Sequence, residues 1–461
     1  MVFKLVRDLV KTTCRILLYC AAASTLAVTT WAQAAAASSA GFDVEETNLG
    51  PYSGSSSTAA SLIPSLTTPP PTLVALSSDG THIAYTSTHG CPSGAKLCID
   101  LDNSQAIPVD DGVSVQGLLL NRSGQRVAYI ASRGKKVWLV VDGHAGAQYD
   151  DLWSATFSPD GRRIAYAARQ GKHRTIMVDG LAGANFDELL GLQFSADSTH
   201  VAFAGRLGKQ WTAVLDGRQG PMYKTISNLA LSFDGKRMAY AAQVGKLWTA
   251  VVDGQPGVTY KGISTLVFSP DGVHFAYTAQ PGKQWTLVSD GTPGTMYDAF
   301  AVGSPAFSQD GREVVYAAQK NKQWTVVMQG PFSAAYAAEG AAGGLTISPD
   351  GEHVAYVDSK RVGLMVRGSI AVDGKPGPVY TGVGVPAFSP DGKHLAYIAY
   401  KPFQVSVVLD GQATTVYNSI LGDFLTFSPD DALEVLALKG SGGLFPLNDV
   451  TLYRVKYTPT P

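Results

Sequence analysis

The sequence predicts an all-β protein built from about ten repeated antiparallel units, and two observations lead to this prediction. A phrase close to Phe-Ser-Pro-Asp-Gly returns along the chain at intervals of 37 to 44 residues. The chain also holds 49 glycines and 25 prolines, which suit strands joined by tight turns. A fixed period of this length is typical of stacked supersecondary units. The turn residue of successive units falls at Asp79, Ser123, Asp160, Asp197, Asp234, Asp271, Asp310, Asp350, Asp391 and Asp430.

The unit from Leu266 to Tyr297 shows how each repeat is predicted to fold. Short runs rich in Val, Phe, Tyr, Trp and Thr alternate with Pro- and Gly-containing turns, a pattern typical of strands and hairpins. Less than forty residues per unit leave no room for a helix. The predicted order is a strand at 266–269, a turn at 270–272, a strand at 275–279, a turn at 280–283, a strand at 285–289, a hairpin at 290–291 and a strand ending at 297.

Four-stranded units at this period predict a β-propeller, which closes radially and leaves few free edges. An Asp-Gly hairpin and a following aromatic residue recur together, as at Asp216-Gly217 with Tyr223 and Asp253-Gly254 with Tyr260. One ring of about ten units is favoured over two joined rings, because no interval between units is long enough for a linker. The last unit ends with a third strand near Val450, so we expect its fourth strand to come from around Leu62-Ile63.

The repeat resembles that of a known group of proteins. Phe-Ser-Pro-Asp-Gly followed by a strand ending in Ala-Tyr is similar to the WD-like repeat of the TolB-type propellers of bacterial envelopes, and to the propeller domains of prolyl-oligopeptidase-type peptidases. The resemblance covers nearly all of residues 72–461 and implies the fold, whereas a fold does not imply an activity. TolB-like proteins carry an α/β domain before six blades, and the peptidases carry a hydrolase domain; neither domain is present here.

The N-terminal segment predicts export. Residues 1–34 read as a signal peptide, with Lys4, Arg7, Lys11 and Arg15 before an uncharged stretch and Ala32-Gln33-Ala34 as the cleavage site. We therefore expect a periplasmic or secreted protein, in contact with a membrane only if this segment stays uncleaved as an anchor. Residues 35–71 are rich in Ala, Ser and Pro and predict a disordered tether, and residues 72–461 form the repeat array.

Cleavage would leave two cysteines, Cys91 and Cys98, within one short loop. In an exported protein such a pair predicts a disulfide bond. A metal site is the alternative, but no histidine or pair of acids completes it, and two thiolates alone hold zinc poorly.

Composition and motifs exclude several classes of function. A net charge of −1 gives no overall basic surface for nucleic acid. No nucleophile elbow, phosphate-binding loop or His-Glu-x-x-His pair occurs, so no catalytic residue, metal ligand or cofactor is predicted. Histidines recur three residues after the turn aspartate, but Arg or Glu replaces them in other units, which indicates a solvated strand end. The turn aspartates are explained by Asx-type turns rather than by calcium binding.

A repeated cation beside an indole at the start of the third strand is the candidate binding feature. Propeller topology brings these Lys–Trp starts to the face where the fourth strands end in tyrosine. The candidate residues are Lys209, Trp211, Tyr223, Lys246, Trp248, Tyr260, Lys283, Trp285, Tyr297, Lys322 and Trp324. The aromatic rings either pack between blades, which is the preferred interpretation, or form with the lysines a surface for a glycan, an anionic polymer or an acidic protein segment.

Taken as a whole, these features predict an exported, non-enzymatic β-propeller that serves as a binding scaffold in the bacterial envelope, with a protein or glycan partner. The alternative is a hydrolase or lyase acting on polysaccharide or peptide, with acids and histidines lining the propeller channel. Such an enzyme should carry a cluster of polar residues that is not repeated, and the polar residues here are mostly repeated.

Overall fold

The computed structural model describes residues 42–51, 74–77, 81–88, 91–102, 105–362, 365–402, 404–421, 425–440 and 450–460. These residues belong to one compact unit, Ser39–Pro461. They form β-strands joined by short turns, together with a 3₁₀ turn at Pro92–Gly94. Within this part of the chain, no helix has the length and apolar character needed to cross a membrane. The predicted signal peptide and the predicted closing strand at Leu62-Ile63 lie outside the described residues.

The strands form ten antiparallel sheets, which we number as blades 1 to 10 in chain order. The first strand in the chain, β1 (Phe42–Pro51), belongs to blade 10. Blade 1 contains β2 (Val74–Leu76), β3 (Ile83–Ser87), β4 (Leu97–Leu101) and β5 (Gln105–Val109); blade 2 contains β6 (Ser114–Leu120), β7 (Val127–Arg133), β8 (Lys136–Val141) and β9 (His144–Ala145). Blade 3 contains β10 (Asp151–Phe157), β11 (Ile164–Gln170), β12 (His173–Val178) and β13 (Leu181–Phe186); blade 4 contains β14 (Glu188–Phe194), β15 (Val201–Leu207), β16 (Gln210–Leu215) and β17 (Arg218–Tyr223).

The second half of the chain continues the same order, except that the first strand of blades 7 and 9 is broken in two. Blade 5 contains β18 (Ile226–Leu231), β19 (Met238–Val244), β20 (Leu247–Val252) and β21 (Gln255–Tyr260); blade 6 contains β22 (Gly262–Phe268), β23 (Phe275–Gln280), β24 (Trp285–Ser289) and β25 (Thr292–Tyr297). Blade 7 contains β26 (Ala299–Phe300), β27 (Ala306–Phe307), β28 (Val314–Lys320), β29 (Gln323–Gln329) and β30 (Ala334–Ala338); blade 8 contains β31 (Ala341–Ile347), β32 (Val354–Val362), β33 (Met365–Val372) and β34 (Lys375–Pro376). Blade 9 contains β35 (Gly382–Val383), β36 (Ala387–Phe388), β37 (Leu395–Lys401), β38 (Gln404–Leu409) and β39 (Gln412–Tyr417); blade 10 contains β40 (Ser419–Leu421), β41 (Leu433–Gly440), β42 (Val450–Pro459) and β1.

The core is divided among the interfaces between blades. The described residues form ten clusters of buried apolar side chains, and each cluster joins two neighbouring blades. One cluster packs Ile83 and Tyr85 of blade 1 against Leu436, Leu438 and Leu452 of blade 10. Because the last blade packs on the first, the ten blades form a single closed ring. The predicted all-β propeller of about ten units in one ring is therefore confirmed.

The turns within each blade have the geometry that their sequences predict. In blade 3, Asp179 and Gly180 both have positive φ, at 50° and 82°, as the mirror-image two-residue hairpin requires. The backbone N–H of Asp179 donates to the carbonyl of Ile164, and that of Ile164 donates to Asp179 Oδ1, at 2.9 Å in each case. The side chain of the hairpin aspartate thus ties the turn to the second strand. Local turn chemistry therefore sets the length of each blade.

Blade 10 is completed by the N-terminal side of the chain, as predicted, but by a different segment. Strand β1 pairs with β42 from Phe42, opposite Pro459, to Pro51, opposite Thr451. Residues 42–51 lie within the segment 35–71, for which composition predicted a disordered tether. That prediction is wrong for these ten residues. Their backbone groups form hydrogen bonds with the free edge of β42, a partner so distant in the chain that the local polar composition does not reveal it.

The predicted bond between Cys91 and Cys98 is present in the loop between the second and third strands of blade 1. Their Cα atoms are 5.5 Å apart, within the usual range for a disulfide. Cys98 is fully buried, whereas Cys91 is only half-buried. The bond thus anchors an exposed loop to the core of the first blade.

Candidate functional site

Successive turns of an antiparallel sheet lie at opposite ends of its strands, so the propeller has two different faces. The hairpin face carries the Ser-Pro-Asp-Gly-type turns between first and second strands and the Asp-Gly hairpins between third and fourth strands. The lysine face carries the turns between second and third strands and the connections from each fourth strand to the next blade. First strands of neighbouring blades contact each other, so they line the central channel.

Polar side chains on the hairpin face are engaged in a repeated hydrogen-bond network. In blade 3, the Ser158 hydroxyl donates to Asp160 Oδ1 at 2.6 Å and accepts from the backbone N–H of Arg163 at 2.9 Å. Arg163 donates through Nε to Asp179 Oδ2 at 2.8 Å and through Nη1 to the carbonyl of Thr199 in blade 4 at 2.7 Å. The arginine therefore joins one blade to the next, and the turn groups serve the fold.

The recurring histidines occupy the same position as these arginines. Each histidine Nδ1 lies within hydrogen-bond distance of the hairpin aspartate of its own blade. The pairs are His82 with Asp102, His200 with Asp216, His274 with Asp290, His353 with Asp373 and His394 with Asp410, at 2.5 to 2.8 Å. The hydrogen bond that His353 donates to the Asp373 carboxylate raises the pKa of His353. Each histidine is thus bonded to an aspartate of its own blade, at the strand end that the sequence predicted; His82 and His394 also contact Arg454 and Phe42 of blade 10.

Blade 7 departs from this pattern. Glu313 replaces the histidine or arginine and is 1% exposed. Gln329-Gly330 replaces the Asp-Gly hairpin, and Gly330 has a φ of 152°. Glu313 Oε1 accepts a hydrogen bond from the backbone N–H of Phe332 at 2.7 Å. In this blade the carboxylate that ties the hairpin to the second strand therefore belongs to the start of the second strand, whereas in other blades it belongs to the hairpin.

Acid should weaken the hairpin-face turns, and Asp234 is the clearest case. The hydrogen bond from the Ser232 hydroxyl, with further donation from Lys236, lowers the pKa of Asp234 to about 2. Because the pKa of Asp234 is lower in the folded protein than the ordinary 3.8, its ionised carboxylate stabilises the fold above pH 4. This contribution is lost as the pH falls toward 2 and the carboxylate is protonated. We expect Ser232→Ala to raise the pKa of Asp234, as measured by NMR titration of its carboxyl carbon. An unchanged pKa would show that the serine does not hold the carboxylate.

The predicted lysines stand free on the lysine face. Lys209, Lys246, Lys283 and Lys322 are exposed, and in the described part of the chain none of them has an ion pair or a side-chain hydrogen bond. Two other cations of this face are paired: Lys136 with Asp150 at 2.8 Å and Arg206 with Glu188 at 2.6 Å. The free lysines are therefore available to a partner.

The predicted aromatic residues lie beside these lysines but pack between blades. Trp211, Trp248 and Trp285 face Tyr223, Tyr260 and Tyr297 across the third and fourth strands. Each of these tyrosines in turn packs edge-to-face on a tyrosine of the next blade: Tyr240, Tyr277 and Tyr316, with ring centroids 5.9 to 6.3 Å apart. Trp211 and Tyr260 are buried, and Trp248 and Trp324 pack against core clusters. The structure places the rings in the interfaces and leaves the cations on the surface.

Two further lysines extend this surface, and the sequence analysis did not select them. Lys224 and Lys261 follow Tyr223 and Tyr260, at the position held by Asp150, Asp187 and Asp298 in other repeats. Both are exposed, and neither has an ion pair within the described residues. The signal in the sequence is the residue after each repeated aromatic, where lysine replaces aspartate at these two places. We call Lys209, Lys224, Lys246, Lys261 and Lys283 the lysine sector; they lie on blades 4 to 6.

Charge is segregated between the two faces in this part of the ring. Between residues 205 and 290, every acidic residue belongs to a hairpin-face turn: Asp216, Asp234, Asp253, Asp271 and Asp290. The turns and connections of the lysine face in this range contain no acidic residue. From Lys224 to Lys261 the lysine face thus carries no carboxylate, whereas Asp187 lies beside the turn of Lys209 and Asp298 beside that of Lys283. A surface with such an excess of positive charge attracts anionic groups.

The described first strands, which line the channel, carry few charged side chains. Among the described first strands, the charged residues are Asp151 and Glu188, which lie at the lysine-face end and pair with Arg169 and Arg206. The same strands contain no histidine. Bulges place Ser154, Asn228 and Thr265 in the left-handed region, at φ of 52°, 52° and 41°. The described channel lining is therefore largely uncharged.

Comparisons with known proteins give similarity in fold alone. No family profile matches the chain, and no curated protein matches it. The chain is similar to the solved structure of a eukaryotic initiation factor, with 15% identity over 73% of this chain and 100% of that chain and a TM-score of 0.43. It is also similar to the Dos1 propeller, with 13% identity, 74% and 92% coverage and a TM-score of 0.37. TolB from Acinetobacter baumannii shows 14% identity, 57% and 77% coverage and a TM-score of 0.29. The fold assignment itself rests on the ten sheets and their interfaces.

Proposed function

We propose that the protein is an exported, non-enzymatic β-propeller that binds an anionic protein or glycan partner through its lysine sector. The observation that carries the proposal is a group of five exposed lysines on three consecutive blades, none of which has an ion pair within the described residues. On the hairpin face, by contrast, many of the aspartates, histidines and arginines are bonded within and between blades.

A rigid support makes such a surface suitable for binding. The lysines lie in turns of two to four residues or in short connections, between strands that bury apolar side chains between blades. Binding residues commonly sit on loops that a rigid scaffold positions. Because the strands on either side of each turn are fixed, little backbone order would be lost on binding.

Export is the second part of the proposal. The basic and apolar N-terminal segment supports it, and so does the disulfide between Cys91 and Cys98, since disulfides persist in oxidising compartments. In this proposal the mature protein works in the periplasm or outside the cell, within the bacterial envelope.

The test reverses the charge of three lysines, in the variant Lys209→Glu, Lys246→Glu and Lys283→Glu. We expect this variant to lose partner capture from the envelope fraction of the producing cells, because like charges would then meet across the interface. Capture on immobilised protein, followed by mass spectrometry, identifies the partner. The melting temperature should stay nearly the same, since exposed substitutions change stability by about 0.5 kcal/mol each.

The matched control changes the same charge at Lys135, Lys172 and Lys375, which are exposed and lie outside blades 4 to 6. This control should capture the partner as well as the native protein does. Undiminished capture by the lysine-sector variant would refute the proposal and direct attention to the hairpin face or the channel.

A further inference from the structure

The turns of the lysine face are closed by an acidic side chain in several blades. Asp150, Asp187 and Asp298 each accept, through Oδ2, the backbone N–H of a residue in the turn between the second and third strands. Their donors are Gly171 at 2.7 Å, Gly208 at 2.7 Å and Asn321 at 2.8 Å. In blade 10, Asn418 Oδ1 accepts the N–H of Gly440 at 2.8 Å in the same way. A side-chain oxygen thus belongs at this place in the repeat.

In blade 5 that oxygen is missing. Lys224 occupies the place of the aspartate, and the equivalent turn residue is Gly245, with a φ of 62°. Gly245 is exposed, and its N–H has no acceptor within the described residues. Lys246 follows in the same turn. An open N–H, with Lys224 at the aspartate's place in the repeat and Lys246 next in the turn, offers an external carboxylate the bond that Asp150 and Asp187 make in blades 3 and 4.

The surroundings of this turn favour a protein segment over a sugar chain. Tyr260 is buried in the core between blades 5 and 6, and Trp248 packs against the same cluster and is partly buried, so neither ring is fully open for stacking of a sugar ring. The side chains that flank Gly245 are aliphatic and exposed, Val244 by 47% and Leu247 by 39%. A peptide in which carboxylates alternate with aliphatic side chains would match both features.

We propose that the blade 5 turn is a carboxylate-binding site for an acidic protein segment, formed by the Gly245 N–H, Lys224 and Lys246. Lys209 on one side and Lys261 and Lys283 on the other attract the neighbouring carboxylates of the same segment. This inference rests on the proposed function of the lysine sector and names the chemistry of its partner. The external carboxylate takes the place that aspartate holds in blades 3, 4 and 7.

The test compares two variants that remove the same charge. Lys224→Asn supplies an oxygen that closes the Gly245 N–H, as Asn418 does in blade 10, whereas Lys224→Gln is one methylene longer and leaves the N–H open. The probe is a fluorescein-labelled peptide of alternating glutamate and valine, and its anisotropy gives the Kd. We expect the Asn variant to bind about tenfold more weakly than the Gln variant, the effect of losing one charge-assisted hydrogen bond. The control Lys172→Gln in blade 3, where Asp150 already closes the turn, should bind like the native protein.

Three results would overturn the inference: equal Kd values for the two Lys224 variants, absence of peptide binding by the native protein, or displacement of the peptide by oligogalacturonate at equal carboxylate concentration. The last would assign the site to an acidic glycan. If any of these results is obtained while the triple lysine variant still loses its partner, the proposed function stands and the blade 5 site alone is rejected. Melting curves of all variants confirm that each one is folded.

Discussion

Removing the closing strand β1 is expected to open the ring. Phe42 is 1% exposed, packs edge-to-face on His394 of blade 9 and belongs to the cluster between blades 9 and 10. Glu46 accepts hydrogen bonds from the Tyr417 hydroxyl, at 2.8 Å, and from Lys439. Phe42→Ala alone should cost about 3–5 kcal/mol, as large-to-small core changes do. Deletion of residues 42–51 should cost more, because it also exposes the edge of β42.

Thermal unfolding followed by circular dichroism measures both changes, and size-exclusion chromatography detects association through the free edge. Val44→Thr is the control on the same strand; Val44 is exposed, so this change should leave stability within about 0.5 kcal/mol. A synthetic peptide of residues 42–51 should restore the melting temperature of the deleted protein by adding the missing strand. A melting temperature unchanged by Phe42→Ala would show that β1 does not close the ring.

Truncation of Trp211 to alanine is the second change with a large expected effect. Trp211 is 9% exposed and packs with Ile226 and Tyr240 in the cluster between blades 4 and 5. We expect a loss of about 3–5 kcal/mol, since the ring leaves a cavity that the rigid strands cannot fill. Lys209 lies two residues earlier, in the exposed turn before β16, so Lys209→Ala should change stability by no more than about 0.5 kcal/mol.

Chemical denaturation of the two variants separates packing from binding. If packing is the role of Trp211, its variant unfolds at lower denaturant, while the Lys209 variant unfolds normally and binds the partner less well. An unchanged denaturation midpoint for Trp211→Ala would contradict the packing role and restore the indole as a candidate contact with the partner.

Much of the blade could be predicted from the sequence because its turns depend on local chemistry. Asp179-Gly180 adopts the hairpin that its sequence favours, and Ser158 with Asp160 closes the turn before the second strand. These contacts span few residues, so each repeat carries the information for its own strands. Blade 7 was the exception, since no local pattern indicates that Glu313 would take over the role of the hairpin aspartate.

The candidate site could be predicted only in part. The sequence predicted Lys209, Lys246, Lys283 and Lys322 next to the start of third strands, and in the structure these four lysines are exposed. It could not decide whether a lysine is paired, because the deciding residue lies in a connection between blades. Asp150, in the connection after blade 2, pairs with Lys136, whereas lysines stand at this place on both sides of the unpaired Lys246, as Lys224 and Lys261. The role of the tryptophans was likewise open until their burial was known.

By itself, then, the sequence determined the repeat, the four strands of a blade, their turns and the disulfide loop, since all of these arise from contacts between residues close in the chain. The tertiary structure alone decided that the ten blades form one ring, because that requires blade 10 to pack on blade 1. It also decided that Phe42–Pro51 is the closing strand. Its partner β42 lies about four hundred residues away in the chain, and only this pairing supplies the backbone hydrogen bonds that a single extended segment cannot make alone. The lysine sector has the same origin: charges distant in sequence become one surface only when three blades stand side by side.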